Sequence, residues 1–74
     1  MLKTDERWIA AWLDAVATGT VTMSQRQVSS IALHGGTDAV VAAARARKVH
    51  LVQLSDDRGV DLVAASLHPF TVLC

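Results

Sequence analysis

In the stretch "SSIALHGGTD", residues 29–38, serine, histidine and aspartate stand within ten positions of one another, the residue types that nucleophilic catalysis uses. A triad also needs a strained turn that lifts the serine out of the backbone and amides that receive an oxyanion. Neither Ser29 nor Ser30 has a glycine beside it, and the glycine pair comes only after His34, so no enzyme is expected here. Glycines ahead of a helix start can also present amides to a phosphate. No Walker lysine follows "HGGTD", however, and Asp38 would compete with an anion for those amides, so helix termination followed by a new helix start accounts for the same residues. His34, His50 and His68 lack the short spacing of zinc ligands, and Cys74 is the single cysteine. No metal, cofactor or internal disulfide is expected.

The basic residues offer different chemistry. Residues 24–50 hold Arg26, Arg45, Arg47 and Lys48 against Asp38, net plus three, while 1–23 carry net minus one and 51–74 net minus two. Zero formal charge thus conceals a basic centre, the footprint expected of a nucleic-acid contact. A hydrophobic fraction of 51% against 19% charged residues excludes a disordered chain. With 74 residues there is one domain, 1–74, near the size at which a core just offsets the entropy of folding, so a second subunit would help it. No apolar run is long enough for a membrane helix and "MLKTDERW" lacks a secretory layout, so a soluble cytoplasmic protein is expected.

Elements must hold these side chains in place. Thr4 is placed to cap a first helix with Asp5 and Glu6 in its first turn, and Trp8, Ile9, Trp12, Leu13 and Val16 repeat at helical spacing before Gly19. Both tryptophans therefore belong to the core. "TVTM", residues 20–23, alternates as a short strand with Val21 and Met23 on one side. Ser24 and Gln27 have the spacing of a capping box, which predicts a second helix over 24–34 with Val28, Ile31 and Ala32 inward. Gly35 and Gly36 break the chain, and a third helix runs over 37–48, with Val40, Val41 and Ala44 on one face and Asp38, Ala39, Ala42, Arg45 and Ala46 opposite. Period two then takes over. "VHLVQL" and "VDLVAASL" flank "SDDRG" as a β-hairpin turning near Asp57–Gly59, and "FTVLC" is an apolar tail suited to an edge strand or a cover for the core. The fold class expected is α+β: three helices with a short strand and a C-terminal β-hairpin.

In that element order, "TVTM", "SQRQVSSIA", "GGTDAVVAAARARKV" and the hairpin around "SDDRG" resemble the winged helix-turn-helix domains. The resemblance implies a third helix in the major groove, a second across the phosphates and a hairpin wing on the adjacent backbone. It points to a small DNA-binding transcription regulator or architectural protein, as a homodimer on double-stranded DNA, with contacts from Gln25, Arg26, Gln27, Ser29, Thr37, Arg45, Arg47, Lys48 and Arg58. Two features depart from the family pattern. Leu33 stands where a turn glycine is typical, which predicts a longer turn, and two aspartates share the wing tip with Arg58. An alanine-rich third helix suits an alternative, an adaptor or inhibitor that binds a protein through helix 37–48 and the apolar tail. Gathered arginines would favour DNA; arginines scattered around an apolar patch would favour the adaptor.

Overall fold

The first helix, α1 (Glu6–Ala17), forms because its apolar residues fall three and four apart, which lays Ile9, Trp12, Leu13 and Val16 along one buried stripe. The computed structural model describes residues 5–73. Thr4, expected as the cap, lies outside that range, and Asp5 occupies the N-cap, its Oδ1 accepting from the Trp8 amide at 3.1 Å. The helix closes on Thr18, and Gly19 follows at φ +79°, a left-handed turn at little steric cost.

The next element corrects the expected boundaries. Residues 20–22 bend, and the strand β1 (Met23–Gln27) takes the very residues expected to open a helix. Ser24 Oγ accepts from Arg26, not from a helix amide, and the helix α2 (Val28–Leu33) starts four residues later with Gln27 as a cap that makes no side-chain bond. A sheet ladder outweighs the local cap. β1 runs antiparallel to β3 (Asp61–Ser66) in the register Met23↔Ser66 to Gln27↔Leu62, and the Trp12 indole donates to the Ser24 carbonyl at 3.4 Å. A capping interaction contributes about 1 kcal/mol, less than a five-residue ladder with its packing. Val21 and Met23, expected on one side of a strand over 20–23, are both exposed, Met23 at 49%, and only Met23 belongs to β1. Ile31 is buried and Val28 packs against the core, but Ala32 faces outward, because six residues of helix present one narrow face.

α2 and α3 (Thr37–Ala46) meet at Gly35 and Gly36, both at positive φ, and the turn tightens through Gly36 N–H donating to the Ile31 carbonyl at 2.9 Å. α3 buries Val40 and Ala44. Ala39, expected on the outer face, packs with Ala43 against the core, while Val41 is half-buried. The helix ends at Ala46, two residues short of the expected Lys48: Arg47 is the C-cap and Lys48 takes a left-handed φ of +57°.

The hairpin is as expected. β2 (His50–Ser55) and β3 pair antiparallel, and Asp56 organises the turn by accepting from the Arg58 and Val60 amides at 2.8 and 3.0 Å. The sheet order is β1-β3-β2. Val63 and Ala65 of the central strand face the helices and join the core. Among the described residues the tail after Ser66 forms no strand; Phe70 is half-buried, while Val72 and Leu73 are 83% and 93% exposed. Cys74 lies outside the described residues. The described residues form a small α+β domain with three helices on a three-stranded antiparallel sheet, and no helix among them is long and apolar enough to cross a membrane.

Candidate nucleic-acid interface

α3 carries an exposed face, part alanine and part polar, from which a nucleic-acid contact would be built. Asp38, Ala42, Arg45 and Ala46 lie on its solvent side, and Lys48 follows just beyond its C-cap. Arg45 sits in the last helical turn, where the helix dipole favours a cation. Neither Arg45 nor Lys48 makes an ion pair or side-chain hydrogen bond among the described residues, so each can meet an external anion without giving up an internal partner. Thr37 opens the helix and lines a cleft with Val41, Leu51, Val52, Gln53 and Val63, between α3 and the hairpin.

The other arginines are engaged within the fold. Arg47 donates through Nε to Asp14 at 2.6 Å and through a terminal nitrogen to the Ala43 carbonyl at 3.0 Å, which braces the end of α3 against α1. Arg26 lies 5.7 Å from the Trp12 ring centroid, in cation–π range, and donates to Ser24 Oγ and the Gln25 carbonyl. Arg58 reaches back to Asp56 Oδ2 at 3.1 Å, although its side chain stays 78% exposed. The Asp56 carboxyl is held below its usual pKa, first by the Val60 N–H and then by Arg58, so the hairpin tip keeps its negative charge.

The polar candidates divide between faces. Gln25 and Gln27 share a register with Ala64 and Leu62 on the side of the sheet away from the helices, because Arg26 and Ser24, paired with Val63 and Ala65, take the inner side. Ser29, exposed at the start of α2, donates to Gln27 Oε1 at 3.3 Å. Of the nine expected contact residues, the structure leaves Thr37 at the start of α3, Arg45 in its last turn and Lys48 just past its C-cap; Gln25, Gln27 and Ser29 sit around β1 and the start of α2, and Arg58 at the hairpin tip.

Two associations escape sequence reading. Asp5 and His34, 29 positions apart, are joined by a 3.0 Å contact between Oδ2 and Nδ1 and by the Asp5 N–H donating to the His34 carbonyl at 2.9 Å. The imidazole stacks on Trp8 with ring centroids 4.1 Å apart and planes 7° from parallel. Asp5 is held below its ordinary pKa, first by the Trp8 amide and then by His34. The Asp14–Arg47 pair spans 33 positions. Between α1 and α3 a shallow groove is lined by Glu6, Ile9, Ala10, Ala39, Ala43 and Arg47. Among the described residues, no three histidine, cysteine, aspartate or glutamate side chains come together as metal ligands would. Comparison with protein-family models, with curated proteins and with solved structures finds no match for the chain.

Proposed function

We propose that this chain is a winged helix-turn-helix module that binds double-stranded DNA through the exposed face of α3, acting as a small regulator or architectural protein. One observation carries the reading. The element order α1-β1-α2-α3-β2-β3 with sheet order β1-β3-β2 leaves Thr37 and Arg45 of α3, and Lys48 just past its C-cap, exposed, with a hairpin projecting from the same sheet. In such modules this helix enters the major groove, and the hairpin reaches the neighbouring backbone.

The engaged arginines set the expected strength. Arg45 and Lys48 are available as they stand, and Arg58 becomes available once it releases Asp56, which exposure makes inexpensive. Each phosphate neutralised contributes roughly 0.9 to the slope of log affinity against log salt, so one chain gives a slope of about −2 to −3 and a dimer about −4 to −5. A gel-shift titration against random duplex at low and moderate salt measures this directly. Loss of binding on replacing Arg45 and Lys48 together supports the assignment. No salt-sensitive affinity for any duplex refutes it.

A specific observation favours a second reading. Arg26, Arg47 and Arg58 are tied to partners within the fold, and beside them α3 exposes Ala42 and Ala46 next to the groove it forms with α1. Arginines scattered around an apolar surface are what a protein adaptor with the same fold would show. Recovery of a protein partner whose binding is lost when Ala46 becomes glutamate would establish it.

A further inference from the structure

Where α1 begins and α2 ends, three contacts converge on His34, two on its imidazole and one on its backbone carbonyl. The Asp5 carboxylate meets His34 Nδ1, the Asp5 amide donates to the His34 carbonyl, and the Trp8 ring lies flat against the imidazole. Asp5 is the N-cap of α1, and His34 is the C-cap of α2, directly before the glycine pair that sets the path into α3. We infer that Asp5, Trp8 and His34 form a proton-responsive latch that ties the turn between α2 and α3 to the start of α1. The latch stands on the fold alone, whichever partner α3 meets.

The chemistry follows from the ring. In the neutral imidazole a proton on Nδ1 is donated to the Asp5 carboxylate, and Nε2 is bare. Uptake of a proton at Nε2 leaves that hydrogen bond in place and places a positive charge between a carboxylate and an aromatic face. The hydrogen bond, already charge-assisted by the carboxylate, becomes an ion pair, and the stack becomes a cation–π contact. Both changes tighten the latch, so the α2–α3 turn is held more firmly on the acid side of the imidazole range. The charged neighbours are few. α1 brings Asp5, with exposed Glu6 and Arg7 beside it; α2 has no charged residue; α3 brings exposed Asp38 in its first turn. Asp5 is the one ionised group paired with the ring among the described residues.

The test uses the full chain carrying His50→Gln and His68→Gln, which removes two exposed imidazoles and leaves His34 as the only one. Tryptophan emission and melting temperature are followed from about pH 8 to about pH 5, the range in which histidine changes charge. Emission should fall in a single one-proton transition as the charged ring quenches Trp8, and the melting temperature should rise over the same interval. Adding His34→Gln should abolish both changes. Adding Asp5→Asn, which keeps a capping side chain and removes the charge, should abolish the rise in melting temperature. Should the glutamine variant fail to fold, proton NMR of the unmodified chain decides: the Trp8 ring signals must shift with the same midpoint as the His34 ring. A transition that persists without His34, or Trp8 signals indifferent to its titration, overturns the latch.

Discussion

Trp12 shows how one side chain serves two structures. Its ring is 1% exposed in the centre of the core, its indole N–H meets the Ser24 carbonyl, and its face receives Arg26. Trp12→Ala should therefore cost about 3 to 5 kcal/mol, read as a fall in melting temperature, and the loss should include the anchoring of β1. An unchanged melting temperature would contradict this. The core role was legible from spacing alone, since Trp8, Ile9, Trp12, Leu13 and Val16 repeat as a helix face. The partnership with Arg26 was not legible, because it depends on a strand register that brings residues 12 and 26 together. Asp5 gives the acid-side prediction. Its pKa is lowered in the folded chain from an ordinary value near 3.8, so it contributes stability that is present above that value and lost as pH falls through the folded one. The denaturation midpoint should accordingly drop below about pH 4, and Asp5→Asn should flatten that part of the profile while the Trp8 amide stays capped.

At the scale of elements, signals within one turn of chain were outweighed wherever distant pairing competed with them. Ser24 and Gln27 carry the spacing of a capping box, yet β1 occupies those residues, because the partner strand β3 and the Trp12 indole are supplied from 12 to 43 positions away. The hairpin and the glycine break were legible because their determinants are local: Asp56 binds amides two and four residues on, and Gly35 and Gly36 adopt positive φ. Gly36 gives the sharpest test. Its φ of +92° with ψ of 168° lies in a region nearly reserved for glycine, while a Cβ built there meets nothing within 4 Å. Gly36→Ala should thus destabilise the domain by about 1 to 3 kcal/mol through backbone strain alone. Denaturant unfolding measures it, and a neutral result would show that the entry into α3 relaxes freely.

Across the whole molecule, the charge pattern was visible in the sequence, but the ties that neutralise it were not. Counting residues gives a basic centre of net plus three; the fold then ties Arg47 to Asp14 and lays Arg26 over Trp12, leaving Arg45 of α3 and Lys48 just beyond it as cations with no internal partner among the described residues. The element order was likewise legible from changes of period, whereas the order β1-β3-β2 follows from long-range pairing. Both readings of function now converge on one position. Ala42 lies on the exposed side of α3, one turn before Arg45 and Ala46, and lines neither the core nor the α1–α3 groove. Lysine is a good helix former, so Ala42→Lys should leave stability within about 0.5 kcal/mol. If α3 faces phosphate, the added cation should strengthen duplex binding and steepen the salt slope by about 0.9 per chain. Should α3 instead face an apolar protein surface, the same lysine should abolish association, since it buries an unpaired charge at the contact. Gel shift and partner binding measured on this one variant therefore move in opposite directions under the two readings, and a lysine that leaves duplex affinity and its salt dependence unchanged would remove α3 from the DNA interface.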